Sequence, residues 1–482
     1  MRWMSFLHSE IYWGGRWHSS GTGETFAVSD PATGEILGSV PNCDANDVEL
    51  AIDAAHGAFG PYSDLTAGER AALLHKFANL IETHKEALAE LLTREQGKPL
   101  AEALGEVAMS AAYIRWFAEE ARRIYGDIIP SPWPTRQLLV RKEPVGVVVA
   151  ITPWNFPSLM LARKVGAALA AGCTVIAKPA SQTPFSALAL AHLAAEAGFA
   201  PGVLNVLTGT PARITDALLD SPRVAKLTFT GSTAVGKMLL SKAASTVKRV
   251  SLELGGNAPF IVFDDADMDM AIKGAMASKF RNGGQTCVCS NRIYVQNGIH
   301  DAFLDAFVAA VARIRVGNGL DDNVTQGPLI SVEAANGVAA FVDDAEQKGA
   351  RVLTGGRRHG LGAQFFEPTI IADATASMRF AQEEVFGPVA PVFRFETEEE
   401  IIALANGTPY GLAAYFYTKD LARAYRVSGK LKFGMVGINE SVITTEVAPF
   451  GGVKESGFGS EGSRYGLKDY LDTKYVCVGG LN

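Results

Sequence analysis

Three side chains of this 482-residue chain sit in settings suited to acyl chemistry. Cys287 lies in Phe280-Arg-Asn-Gly-Gly-Gln-Thr-Cys-Val-Cys289, where the glycines permit an irregular turn and the polar surroundings with Arg281 are expected to lower the thiol pKa. Taken alone, the same cysteine reads equally as a buried structural thiol. Glu253, in Val250-Ser-Leu-Glu-Leu-Gly-Gly-Asn257, is an acid at the end of an apolar run. Such a carboxylate is either paired structurally or held at a raised pKa for proton transfer. Asn155, between Trp154 and Phe156, offers an amide donor that suits an oxyanion or a turn.

Phosphate-binding patterns are weaker. Gly457-Phe-Gly459-Ser-Glu-Gly462 matches G-x-G-x-x-G, but no strand is expected before it and too little chain follows to supply a ribose-binding acid. The Gly231 to Gly236 segment is better placed, because it follows a strand and opens a helix whose N–H groups can meet a pyrophosphate. The eight histidines are scattered, and neither His-Glu-x-x-His nor Cys-x-x-Cys occurs, so no metal site is expected. Five irregularly spaced cysteines fit reduced thiols better than a disulfide framework.

The elements that must position these groups are legible from periodicity. Val145–Ile151, Thr174–Ala177, Val203–Leu207, Val224–Phe229 and Arg249–Leu254 are short β-rich runs separated by helical segments, the pattern of a parallel doubly wound sheet. Thr152-Pro-Trp-Asn-Phe-Pro157 and Thr230-Gly-Ser-Thr-Ala-Val-Gly236 then fall at carboxyl ends of strands, where open α/β sheets bind ligands. A second alternating series, with strands at Phe260–Phe263, Arg292–Val295 and Pro388–Phe395, predicts another α/β unit. Residues 66–125 read as two long helices: Thr66 and Glu69 form a capping-box pattern, and Leu100, Leu104, Val107, Ala111, Ile114 and Phe117 recur at helical spacing before Gly126.

Composition narrows the class. Hydrophobic residues make up 48% and charged residues 20%, so the chain has ample material for packed cores and lacks the bias of disordered sequences. At roughly 150 residues per domain the length corresponds to about three units. A net charge of −7 gives no general attraction for phosphate backbones or anionic lipid. Nucleic acid and membranes are therefore not expected partners. The Met1–Glu10 segment has no apolar signal-peptide region, and the longest apolar stretches are short or broken by Arg163 and Lys164, so a cytoplasmic protein without a membrane span is expected.

Together the motifs are far more specific than any one of them. Pro153-Trp-Asn-Phe-Pro157, Lys178-Pro-Ala-Ser181, Phe229-Thr-Gly-Ser232, Glu253-Leu-Gly-Gly-Asn257, Gly284-Gln-Thr-Cys287, Glu383-Glu-Val-Phe-Gly-Pro388 and Pro449-Phe-Gly-Gly-Val-Lys454 stand in the order found in the aldehyde dehydrogenase superfamily, which the chain resembles over essentially its whole length. Cys287-Val-Cys289, Asn257-Ala-Pro-Phe-Ile-Val-Phe-Asp-Asp265, the 178–186 stretch and Lys474-Tyr-Val-Cys477 look like the succinate-semialdehyde dehydrogenase branch, which also brings sulfolactaldehyde and glutarate-semialdehyde oxidation into view.

The resemblance implies an α/β fold with a Rossmann-like cofactor domain (1–126 and 147–255), an α/β catalytic domain (256–455) and a small β oligomerisation arm and tail (127–146 and 456–482), assembling as a homodimer or homotetramer. It implies a thioester mechanism with NAD, NADP or both: Cys287 as nucleophile, Asn155 and the Cys287 N–H stabilising the oxyanion, and Glu253 activating water for hydrolysis rather than acyl transfer to coenzyme A. Thr152, Pro153, Trp154, Lys178, Ser181, Gly231, Ser232, Leu254, Glu384 and Phe386 match cofactor-binding positions. Ser181 stands where strict NAD enzymes often carry Glu, so NADP is expected to be accepted. Arg163, Arg281 and Thr444 match positions that bind an anionic substrate tail. Ser441 and Thr444 replace the Gly and Ser usual in relatives, and their bulk is expected to alter the anion pocket. Cys289 is a candidate redox partner for Cys287. A Cys-Glu hydrolase would need Cys287 and Glu253 but not Lys178, Ser181 or Glu384, and a non-enzymatic role would relax Cys287, Asn155 and Glu253.

Overall fold

The computed structural model describes residues 2–481, so Met1 and Asn482, the outer bounds of the expected cofactor unit and tail, lie outside the described residues. An eight-stranded sheet runs in the order Gly457–Phe458, Arg249–Glu253, Val224–Thr230, Val147–Ile151, Thr174–Lys178, Leu204–Val206, Ile11–Trp13, Arg16–His18. Its five central strands are mutually parallel, and the flanking pairings are antiparallel. The chain winds outward from Val147–Ile151 first to one side and then to the other. The strand order therefore reverses beside that strand, and the loops that leave it and Val224–Thr230 border a switch-point crevice.

Val147–Ile151 and Thr174–Lys178 are buried along their whole length, as strands covered by helices on both faces must be. One covering helix, Pro157–Ala171, is buried at every residue. It crosses Leu100–Ala121 closely at Gly166, where a Cβ would lie 3.0 Å from the Phe117 ring. The 66–125 region contains three helices rather than the expected two: Ala67–Thr83, Lys85–Gln96 and Leu100–Ala121. The unexpected break is at His84, non-helical at φ −102° and ψ 17° with no Gly or Pro to mark it, while Gly97, left-handed at φ 96°, and Pro99 separate Lys85–Gln96 from Leu100–Ala121. The Thr66–Glu69 capping box is formed as expected.

A seven-stranded sheet follows the order Arg351–Thr354, Thr369–Ala372, Val389–Phe395, Ser290–Gln296, Ala258–Val262, Ala413–Tyr417, Met435–Ile438, parallel except at its first pair. A three-stranded antiparallel sheet joins Leu471–Val478, Gln137–Pro144 and Asp127–Ile129. The tail is divided between units: Gly457–Phe458 pairs with Leu252–Glu253 in the first sheet, whereas Leu471–Val478 builds the arm-like sheet. This also explains the G-x-G-x-x-G match that begins at Gly457. A Cβ at Gly457 would lie 1.9 Å from the Leu252 carbonyl oxygen, so that glycine serves strand contact. Among the described residues no helix is long and apolar enough to cross a membrane.

Candidate active site

Asn155 is held in the switch-point crevice from two sides. The buried Lys98 ammonium lies 2.7 Å from the Asn155 carbonyl oxygen and 2.6 Å from Glu106 Oε2. Glu106 Oε1 accepts the Ser158 and Leu159 N–H groups at 3.0 and 3.2 Å, satisfying orphan donors at the start of helix Pro157–Ala171. The Asn155 amide donates one N–H to Gln285 O at 3.0 Å, and valence leaves its second N–H free.

Cys287 follows the one-turn segment Arg281–Gly284 at the end of helix Met268–Phe280. Asn282, Gly283 and Gly284 are all left-handed, with φ of 52°, 59° and 75°. At Gly284 an added Cβ would lie 2.2 Å from the Gly387 carbonyl oxygen, so glycine is required both by conformation and by space. Asn282 occupies its strained conformation with compensation: its amide donates to Asn155 O at 2.9 Å, and its backbone N–H donates to Glu102 at 2.8 Å. Gln285 ties the loop further, donating to Asn282 O and accepting the Ile330 N–H.

Two cavities meet at Cys287. The first, about 230 Å³, is lined by Pro153, Trp154, Asn155, Gly231, Ser232, Glu253, Leu254, Glu384 and Phe386. Phe386, at φ 50°, presents its ring edge-on to Trp154 at 5.5 Å. Glu384 Oε1 accepts the Gly256 N–H at 3.0 Å, and a Cβ at Gly255 would come within 2.9 Å of Glu384 Oε2. Thr230 lines this cavity, and its buried Oγ1 has no partner among the described residues. The expected cofactor positions around it are thus brought together. Lys178, the last residue of Thr174–Lys178, and Ser181 beyond it are not among the residues lining this cavity; Lys178 Nζ donates to Pro179 O at 3.0 Å and the Ser181 hydroxyl to Gly209 O at 3.4 Å. Thr152 is buried beneath the crevice, its N–H on Lys178 O at 3.2 Å. Ser232 caps the helix Thr233–Ala243.

The second cavity, about 250 Å³, is lined by Cys287 with Met160, Arg163, Arg281, Thr444 and Phe450, among others. The two arginines differ. Arg163 is fully buried, stacked near Tyr113 and Phe450, and lies 3.6 Å from Glu461, so it is partly a structural ion pair; its Nε has no partner. Arg281 is half-buried over the Phe156 ring and has no ion-pair partner among the described residues. Thr444 lines the cavity as expected, but Ser441 does not: its hydroxyl is turned to Gly274 O at 2.9 Å and its bulk is spent there.

Burial corrects the expected thiol acidity. Arg163 and Arg281 do favour the thiolate, but burial together with the carboxylates of Glu384 and Glu253 outweighs them, and the Cys287 pKa is pushed up to about 12. Glu253, at the end of Arg249–Glu253, is raised well above the carboxylate range by burial and by Glu461, against Lys164 and Arg163; its Oε2 has no partner. Glu384 is raised to about 7, chiefly by burial. Cys289 is fully buried and outside both cavities, its Sγ 3.3 Å from Lys279 Nζ. A bridge to Cys287 would require it to leave that lysine.

Four functional neighbours escaped the sequence reading: Lys98, Glu106, Lys164 and Glu461. Lys164 Nζ lies 2.5 Å from Glu461 Oε1 across 297 residues, so no local spacing reveals the pair. Charge within the apolar stretch at Arg163 and Lys164 is the one sequence signal that points to buried partners.

The profile of the aldehyde dehydrogenase family matches residues 17–476. Three relatives are each 55% identical: a 3-sulfolactaldehyde dehydrogenase of Pseudomonas putida (99% of this chain, 98% of that one), a glutarate-semialdehyde dehydrogenase of Pseudomonas aeruginosa (98% and 98%) and an NADP(+) succinate-semialdehyde dehydrogenase of Escherichia coli (96% and 96%). Among solved structures, the succinate-semialdehyde dehydrogenase of Burkholderia pseudomallei superposes with a TM-score of 0.98 at 53% identity, covering 98% of both chains. A betaine aldehyde dehydrogenase of Staphylococcus aureus, solved with NAD+, gives 0.97 at 38%, covering 100% of this chain and 96% of that one.

Proposed function

The chain belongs to the aldehyde dehydrogenase family, and on that footing we propose that it oxidises a short aldehyde with an anionic tail, succinate semialdehyde, to the carboxylate with NAD or NADP. The observation that carries this reading is the position of Cys287 between two cavities, one walled by Trp154, Glu384 and Phe386 and the other holding the unpaired guanidinium of Arg281.

Trp154, Glu384 and Phe386 would hold a nicotinamide, Gly231, Ser232 and Leu254 its phosphates, and Lys178 and Ser181 the adenosine ribose; when bound, the group would supply the hydride acceptor. The partnerless Thr230 hydroxyl and the space left by Gly255 fit such a group. The chain itself does the rest. Cys287 gives up its thiol proton to solvent, its Sγ bonds to the aldehyde carbon as the C=O π pair moves onto oxygen, and the charge that develops there is met by the free Asn155 N–H and the Cys287 backbone N–H. After oxidation the acyl group is a thioester on Cys287. Glu253 takes a proton from water, the resulting hydroxide displaces the thiolate, and the carboxylate leaves. Asn155→Ala is expected to lower kcat by about 10²- to 10³-fold, with KM for the nucleotide little changed, measured by steady-state kinetics.

Arg281 and Arg163, with Thr444, would receive the tail, a guanidinium fork fitting a planar carboxylate. The test is nucleotide reduction followed by absorbance with succinate semialdehyde, glutarate semialdehyde, sulfolactaldehyde and an uncharged aldehyde of matched length. A kcat/KM preference for succinate semialdehyde supports the reading; preference for the sulfonate or the five-carbon acid reassigns the tail, and preference for the uncharged aldehyde overturns it. Arg281→Gln is expected to lower kcat/KM for the anionic aldehyde by about 10- to 100-fold, the range for losing hydrogen bonds to a charged group, while sparing the uncharged one. Ser181 places no carboxylate near the ribose, which supports use of NADP alongside NAD. The three-stranded sheet, with Ile128 and Tyr475 exposed, supports assembly as a homodimer or homotetramer.

A further inference from the structure

A third cavity, about 750 Å³, opens to solvent and shares Glu102, Arg281 and Val442 with the cavity that holds the substrate tail. Its other walls come from helix Met268–Phe280 and from the segment after helix His300–Val311. Lys273, Met276, Ala277 and Phe280 lie on one face of the first helix, so Lys273 sits two turns, about 10 Å, from Phe280. Arg313 faces it from the second segment. Both cations are exposed and neither has an ion-pair partner among the described residues. Two carboxylates also line the space: Asp269, one turn before Lys273, and Glu102, which is committed to the Asn282 N–H. Three guanidinium or ammonium groups thus face two carboxylates along a path from solvent to Arg281.

We propose that this vestibule is an outer anion subsite, in which Lys273 and Arg313 hold the carboxylate of ω-carboxy aldehydes too long to end at Arg281. The inference rests on the semialdehyde reading above and extends its substrate class. The inner cavity has a third of the outer one's volume, about 250 against 750 Å³, so a short acid is complete at Arg281. A longer chain, its aldehyde at Cys287, runs past Arg281 between the apolar walls of Met276 and Ile314 and brings its charge among the outer cations. Interactions of this kind act on binding rather than on the chemical step.

The experiment compares the wild-type enzyme with the Lys273→Gln/Arg313→Gln variant on four-carbon and eight-carbon ω-carboxy aldehydes and on uncharged aldehydes of the same lengths. The expected result is a roughly tenfold fall in the ratio of kcat/KM for the long acid over the short acid, carried by KM, with the corresponding ratio for uncharged aldehydes unmoved. Equal losses on both acids that fade with salt indicate long-range steering only and overturn the subsite. So does an unchanged ratio, or a wild type that does not turn over the long acid. Because both side chains are exposed, each single variant provides a second reading should the double one fold poorly. Failure of the semialdehyde reading is separately visible as a wild type that prefers the uncharged four-carbon aldehyde.

Discussion

Replacing Cys287 by alanine is expected to reduce aldehyde oxidation by at least about 10⁴-fold while leaving the fold and nucleotide binding intact. The magnitude is that of removing a nucleophile whose covalent intermediate has no alternative route. The fold should survive, because the loop is held by contacts that do not use the thiol: Asn282 on Asn155 O and Glu102, Gln285 on Asn282 O and Ile330, and Gly284 against Gly387. The measurements are kcat with the preferred aldehyde, nucleotide affinity by fluorescence titration and the thermal midpoint. Activity within tenfold of wild type would remove Cys287 from the mechanism. The raised thiol pKa has a further consequence. Because burial and the carboxylates of Glu384 and Glu253 raise the thiol pKa, a thiol-alkylating reagent is expected to react slowly at neutral pH and faster as pH rises.

Glu253→Gln is expected to separate the two halves of the reaction. Gln keeps the shape and the strand but cannot accept the proton of the attacking water. The variant should release about one equivalent of reduced nucleotide per subunit and then stall, with steady-state kcat lower by about 10²- to 10⁴-fold. Intact mass spectrometry should find the acyl group on the peptide containing Cys287. A variant that lost the burst as well would make Glu253 the base for the thiol rather than for water alone.

The pH dependence has a definite sign. Burial and Glu461 raise the Glu253 pKa, so the carboxyl holds its proton at pH values where an ordinary glutamate is ionised. Only the ionised form accepts a proton from water. Hydrolysis-limited kcat should therefore be low on the acid side and climb as pH rises through the raised pKa. A kcat that fell with rising pH over that interval would contradict the role. The Gln variant should lose this limb.

Much of the site was legible because its residues cluster locally. The loops 152–157 and 230–236 follow strands whose β-rich runs are unmistakable, and the parallel order places both loops at the same edge of the sheet. Cys287 stood out through the glycines before it, and the motif order over the whole chain identified Glu253, Asn155 and Glu384 together. Two expectations failed for one physical reason. The thiol pKa and the pocket role of Ser441 each depend on what lies opposite a side chain, which sequence neighbours do not specify.

By itself, the sequence determined most of the strand and helix pattern and the switch-point loops, which follow from periodicity, while the expected roles of Cys287, Glu253 and Asn155 came from the resemblance of the motif order to the aldehyde dehydrogenase superfamily. Only the tertiary structure decided which charges are paired. It set Glu461 against Lys164 and Arg163, Lys98 and Glu106 behind Asn155, and left Arg281 without an ion-pair partner among the described residues. Electrostatic energy depends on distance and burial, and segments far apart in the chain meet at a few ångströms only once the sheets have packed.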